Sequence, residues 1–441
     1  MSPIRMHCVN FCCDWTDPRL NREKRELVSW PPGCRGKMKP KVLLQRYPLP
    51  RPGNVSGRQK PAGPVRVCHL TTVHPFDDSR ISHRECLTLA RAGFDVTLLA
   101  ANVLAEPPET LAPIHIATFR VPRRRLFRML FGGAAALRAS LRTRYDIYHL
   151  HDPELIPVGL VLRLLGRTVV YDAHEDLPDQ ILQKKYLKRA VRRLFYLISA
   201  TLLPAAGRCF TGIVAATPKV GARFVGANLV VIRNYPDVPD EKPVQKPDET
   251  IQILYVGGLS EIRGAREMVA AFREATFHRP VRLILAGDCD DPKLQDEIED
   301  AARQHSQISV LGRVEYDRVT ELLRESHIGL CLLYPTPNHV DALPVKFFEY
   351  LGYGLAVVAS TGLTEVERVT KKWSCAMLVA PESPREIAEA LMKLVHDDAL
   401  RLRLAQNGRE AFLHDYNWTK EGARLVKFYQ SLLSETDTES V

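Results

Sequence analysis

The sequence predicts an α/β protein with two doubly wound parallel-sheet domains. Three observations carry this expectation. A strand–loop–helix–strand pattern opens at Val65. The same layout restarts at Ile251. Between them, Asp237 to Thr250 is rich in Pro and acid with no apolar periodicity, as an interdomain linker should be. At 441 residues the chain is long enough for two or three domains. The expected division is a tail over 1–64, a first domain over 65–236, the linker over 237–250, a second domain over 251–415, and a C-terminal helix and tail over 416–441, its helices packing back toward the first domain.

Residues 1–64 are rich in Pro, Arg and Lys without lasting periodicity, and read as a disordered basic tail. Met38 lies inside it and offers an alternative start to Met1. Four of the ten cysteines, Cys8, Cys12, Cys13 and Cys34, sit there. No repeated C-x-x-C pair gives a zinc spacing, and a chain of this size needs no disulfide staples. There is no run of about 18 apolar residues and no signal-peptide core. A cytoplasmic protein is expected. The net charge of +10 favours anionic partners.

In the first domain, VRVCHL is a strand, TTVHPFDDSR a loop, and SHRECLTLARAG a helix capped by Ser82 and ended by Gly93. FDVTLLA is the next strand. No G-x-G-x-x-G follows the first strand, which argues against a dinucleotide fold signature. DIYHLHDPE and TVVYDAHED are further strands, ending at His151 and at His174–Glu175. Ligands in open α/β sheets bind outside the carboxyl ends of the strands, so both histidines are candidate site residues. Thr217–Pro218 starts a helix after GIVAAT.

Two basic segments stand out. Residues 120–144 hold eight arginines, no acid and an interleaved apolar set. From Gln183, Leu187, Val191, Leu194 and Ile198 recur at spacings of three and four opposite Lys and Arg. Helices 120–144 and 183–203 read either as surfaces for an anionic membrane or as solvated helices packing an apolar stripe on the sheet.

The second domain opens with IQILYVGGLSEIRG. Gly257 and Gly258 free backbone N–H groups, and Arg263–Gly264 lead into a helix, so the loop is a phosphate cradle in physical terms. It is not a Walker A loop, because no G-K-[ST] follows. Asp288-Cys289-Asp290 lies in a post-strand loop where acids are common and gives little reason for a metal. DALPVKFFEYLGYGLAVVAS then places Asp341 and Glu349 eight positions apart, with Pro344 and Lys346 between them and a buried strand after Gly354. Taken alone, this stretch reads equally as an ordinary charged helix start.

VHPFDDSRISHRECLTLARAGFDVTLL, HLHDPEL with YDAHED, and ALPVKFFEYLGYGLAVVAS together resemble the glycosyltransferase family 4 group, of the GT-B fold, over roughly residues 65–435. The resemblance is to bacterial enzymes of surface-polysaccharide and glycolipid assembly. It implies two Rossmann-like domains facing a cleft and retaining transfer from a nucleotide-sugar. It further implies that the E-x7-E signature falls on Asp341 and Glu349, with Glu349 on the donor ribose and Asp341 toward the sugar. Arg263 matches one member of the family's diphosphate-binding cation pair; Gly258 replaces the other, and Lys346 is placed to supply the charge. His151 matches the first-domain histidine near the reacting sugar. His174 and Pro344 are assigned to the donor side. No metal and no cofactor beyond the nucleotide-sugar co-substrate is expected.

The expected protein is thus a hexosyltransferase-type enzyme, cytoplasmic and peripheral on the inner face of the plasma membrane. Two rivals share the architecture: a non-hydrolysing nucleotide-sugar epimerase, which needs no acceptor, and a glycosyltransferase-like scaffold without activity. A nucleic-acid partner is not expected, since aromatics to stack bases make up only 7% of the chain.

Overall fold

The computed structural model describes residues 63–102, 107–122, 125–174, 176–183, 188–237, 249–337 and 339–438. The tail through residue 62, Met38 included, and linker residues 238–248 lie outside the described residues, as do Arg123, Arg124, Glu175, Lys184, Lys185 and Leu187. Everything from Pro64 onward belongs to one compact unit, so both sheets lie within it.

The first sheet has seven parallel strands: β1 (Arg66–Thr71), β2 (Asp95–Ala101), β3 (His115–Phe119), β4 (Ile147–Leu150), β5 (Thr168–Ala173), β6 (Gly212–Ala215) and β7 (Leu229–Val231). Their order is β3-β2-β1-β4-β5-β6-β7. The second has six, β8 (Ile251–Val256), β9 (Val281–Ala286), β10 (Ile308–Gly312), β11 (Ile328–Cys331), β12 (Ala356–Ser360) and β13 (Ala376–Val379), ordered β10-β9-β8-β11-β12-β13. Both are doubly wound. The strand order reverses between β1 and β4 in one and between β8 and β11 in the other, and each reversal opens a crevice at the carboxyl edge.

The strands read as near-continuous apolar runs because helices cover both faces. β12, AVVAS, is buried at every position. The helix Ala265–Glu274 presents Ala265, Met268, Val269, Ala271 and Phe272 to the core at helical spacing. Two segments bind the halves together. Tyr235, at the end of the first half, is buried in the second half's core, its ring 4.7 Å from Phe348 and 5.6 Å from Tyr416. In return the helix Trp418–Thr438 packs on the first sheet through Trp418, Leu425, Phe428, Tyr429 and Leu432. Each such side chain contributes about 1.5–3 kcal/mol through burial. Asn417 caps that helix, accepting from Lys420 N at 3.2 Å.

The helix after β1 differs from its sequence reading. It begins with a π-helical turn, Ile81–Cys86, before the α-helical Leu87–Arg91. Ser82 does not cap it; the hydroxyl donates to the Phe76 carbonyl. Asp78 takes the capping role, accepting from Arg80 N and Ile81 N at 2.9 Å each. π-helical turns are rare and tend to occur at functional sites.

Among the described residues no helix is long and apolar enough to cross a membrane. The apolar stripe of the helix Arg189–Cys209 is only partly packed down. Leu194, Leu197 and Ile198 are exposed, and only Ser199, Leu203, Ala206 and Gly207 are buried.

Candidate functional site

At the carboxyl edge of β8 the chain runs into Gly257 and Gly258, and the crevice wall opposite is the helix Val345–Gly352. Two cations meet over this turn. Arg263 Nη1 donates to the Gly258 carbonyl at 3.2 Å, and the Tyr255 hydroxyl donates to the same oxygen at 2.8 Å. Lys346 Nζ lies 3.8 Å above the Tyr255 ring centre and 3.0 Å from where a Cβ on Gly257 would stand. A Cβ on Gly258 would come within 2.7 Å of Arg263 Nη1. Gly258 therefore makes room for Arg263. Gly264 sits at φ +67°, where any side chain would also press on Leu332.

Glu349 is partly exposed and lines a small pocket with Pro236, Asp237, Tyr316 and Tyr353. Burial raises its carboxyl above the ordinary carboxylate value, while Arg84 and Lys346 pull it back. Arg84 comes from the first half, where Asn234 Oδ1 accepts from its Nη1 at 2.6 Å. Asp341 is in the loop ahead of the helix that carries Glu349, three residues before Pro344. It accepts from Thr364 Oγ1 at 3.2 Å, and its other oxygen lies 3.2 Å from Lys219 Nζ of the first half. Both members of that ion pair are well exposed, so it is worth about 0–1 kcal/mol. Lys219→Ala should change unfolding free energy by no more than that in a denaturant titration.

Across the crevice, the carboxyl edge of β1 and β4 is organised by Asp152. One carboxylate oxygen accepts from Thr72 N at 2.5 Å, Thr71 Oγ1 at 2.9 Å, Thr72 Oγ1 at 3.1 Å and Val73 N at 3.3 Å. The loop after β1 is thus held by a carboxylate. His74, on this loop, lies 3.4 Å from Asp78 and 3.5 Å from Asp152. Burial disfavours its charge, yet the Asp78 hydrogen bond and the Asp152 carboxylate outweigh that and lift it to about 9. His74 is therefore an imidazolium at neutral pH.

His151 is fully buried, with both ring nitrogens facing protein. Nε2 is 2.9 Å from His69 Nδ1 and Nδ1 is 3.4 Å from Asp172. His174 stacks on it with ring centres 5.7 Å apart, keeps about a fifth of its side chain exposed, and lies 3.3 Å from Asp172. Burial pushes His174 down to about 3, so it is neutral. Asp172 in turn forms a buried two-point ion pair with Arg80, at 2.9 and 3.1 Å. The sequence reading found His151 and His174 but missed Asp152, Asp172 and Arg80. The one available signal was that both acids stand at or beside a strand's carboxyl end, next to a histidine.

Family models agree with this architecture. The model described as Glycosyltransferase Family 4 matches residues 80–234, and that described as Glycosyl transferases group 1 matches residues 239–411. An uncharacterized glycosyltransferase of Methanocaldococcus jannaschii is 25% identical over 183 residues, 41% of this chain and 48% of that relative, so the match spans about half of it. A glycogen synthase of Mycobacterium tuberculosis is 23% identical over 381 residues, covering 79% of this chain and 89% of that protein. The crystal structure of Anabaena HepE in complex with UDP and glucose superposes with a TM-score of 0.62 at 14% identity, covering 83% of this chain and 100% of that one. With two parallel sheets edge to edge across a crevice and both halves matched in turn, the chain belongs to the GT-B glycosyltransferases of the family 4 type.

Proposed function

We propose that the protein transfers a sugar from a nucleotide-sugar to a lipid-linked or polysaccharide acceptor, with retention of anomeric configuration, at an anionic membrane surface. The observation that carries the donor reading is the meeting of Arg263, Lys346 and the Gly257–Gly258 turn beside Glu349. That HepE was crystallised with UDP and with UDP-glucose supports a nucleotide-sugar donor for this chain too.

In this reading the diphosphate lies on the glycine turn between the two cations, and Glu349 accepts from the ribose hydroxyls. As the sugar–phosphate bond breaks, the leaving diphosphate gains charge, which Arg263, Lys346 and the turn's N–H groups stabilise. The acceptor hydroxyl attacks from the same face, and its proton passes to the departing phosphate oxygen. No protein nucleophile and no metal is needed for the transfer step. Asp341 faces the sugar, Pro344 shapes the turn beside it, and His151 acts from behind His174 in orienting the first-domain side. Arg263→Ala should weaken nucleoside diphosphate binding about 10-fold or more, the worth of a charged hydrogen bond; unchanged affinity by calorimetry would remove the cradle.

The membrane reading rests on three helices that pack side by side, Arg125–Ser140, Ile156–Leu164 and Arg189–Cys209. Their exposed residues include Phe131, Leu164, Leu194, Leu197 and Ile198, with Arg138, Arg189 and Arg193 among them. Exposed apolar groups with cations alongside suit anionic headgroups. Leu194→Asp with Ile198→Asp should abolish flotation with phosphatidylglycerol vesicles while soluble donor binding stays unchanged. Flotation at the native level would end this part of the proposal.

A further inference from the structure

Beneath the first-domain edge lies a polar floor that glycosyl transfer does not use. His69 of β1 and His149 of β4 are register partners on one face of the sheet, with ring centres 4.6 Å apart. The π-helical turn places Glu85 over them, and Tyr429 of the C-terminal helix closes the other side. His69, Glu85 and His149 are completely buried. One donor atom from each of these three and from His151 lies within 4.8 Å of the others.

The hydrogen bonds leave this cluster short of protons. With the proton of His151 on Nδ1, 3.4 Å from the Asp172 carboxylate, His151 Nε2 accepts from His69 Nδ1. His69 Nε2 is then a bare lone pair, buried and without a hydrogen-bond partner. His149 spends Nδ1 on the Tyr429 hydroxyl at 2.7 Å, and its Nε2 likewise has no partner. Neither Glu85 oxygen has a hydrogen-bond partner. Orphaned buried polar atoms of this kind each cost about 1–3 kcal/mol unless something meets them. Arg80 is the guanidinium facing both buried carboxylates, bonded at two points to Asp172 and 3.0 Å from Glu85.

We propose that His69, His149 and Glu85 form a structural site for a divalent transition-metal ion, zinc(II) being the fit for imidazole and carboxylate donors. The hydrogen bond from His149 Nδ1–H to the Tyr429 hydroxyl and the one between His151 and His69 are the outer partners that metal-bound histidines require. Zinc–donor distances of about 2.0–2.2 Å put donors about 3.4 Å apart, so the side chains close slightly on binding. The ion ties β1 and β4 to the π-helical turn and to the C-terminal helix. Its ligands are completely buried, so it holds the fold and takes no part in the transfer.

The test uses the full chain purified without added metal or polyhistidine tag. Metal content by mass spectrometry should give about one equivalent more than the Glu85→Gln and His149→Gln variants hold, a difference that cancels any metal on cysteines elsewhere. Chelator treatment should lower the melting temperature of the native chain, and zinc should restore it. Cobalt(II) added to stripped protein should give visible bands of nitrogen and oxygen ligation without thiolate charge-transfer absorption. That readout needs no variant to fold. No bound metal, with no cobalt spectrum and no chelator effect, would overturn the proposal and leave a proton on Glu85 or a trapped water as what fills the cluster. None of these readouts depends on a sugar donor, so failure here is separate from failure of the transferase reading.

Discussion

Glu349→Ala should lower kcat/KM for glycosyl transfer by about 100-fold or more while leaving the unfolding transition near its native position. In the proposed function the carboxylate accepts from two donor hydroxyls, and a hydrogen bond to a charged group is worth about 1.5–3 kcal/mol. Removing both loses donor binding and donor orientation together. The fold should tolerate the change, since the helix Val345–Gly352 is held by Phe347, Phe348, Tyr350 and Leu351, all fully buried. Alanine also favours the helix. Glu349→Gln should retain part of the activity. Because burial raises the Glu349 carboxyl, donor affinity should begin to fall on acidification earlier than an exposed glutamate would allow. Near-native turnover in Glu349→Ala would detach this residue from the donor.

The largest loss of stability should come from Arg80→Met, about 3–5 kcal/mol in a denaturant titration. Arg80 is buried, and its guanidinium bonds both Asp172 oxygens and the Ile232 carbonyl at 3.1 Å. Removing one partner of a buried ion pair leaves the other charge uncompensated, which costs far more than the pair itself contributes. Domains are stable by only about 5–15 kcal/mol, so the variant should lose about a fifth or more of that margin. The double variant Arg80→Met with Asp172→Asn should recover part of the loss, because the Asp172 charge is gone while Glu85, 3.0 Å from Arg80, still lacks its partner. A single-variant effect below about 1 kcal/mol would show that Asp172 finds another partner.

What the residue pattern made legible was whatever depends on near neighbours. The strands declared themselves as short Val, Ile and Leu runs, and the linker by its loss of pattern. Gly257, Gly258 and Arg263 were legible because loop composition after a strand is local chemistry. The π-helical turn was not: Ser82 is a good capping residue, but the Asp78 carboxylate reaches the free N–H groups and displaces it. Nor was the polar floor. His69 and Glu85 sit where strand and helix periodicity demand apolar residues, and the groups that receive them are far along the chain. Tyr429 is 280 residues from His149, and Asp172 is 92 from Arg80. Lys219, the partner of Asp341, is hidden for the same reason. Basic helices 120–144 and 183–203 were legible as amphipathic; whether their apolar stripe is covered depends on tertiary packing alone.

The central claim, a nucleotide-sugar site on the edge of the second sheet, is tested most directly by calorimetric titration of the full chain with UDP, GDP and ADP. The expected result is saturable one-site binding of one of the three at micromolar affinity, weakened about 10-fold or more in Glu349→Ala. Absence of binding by all three, or binding that Glu349→Ala leaves untouched, would contradict it.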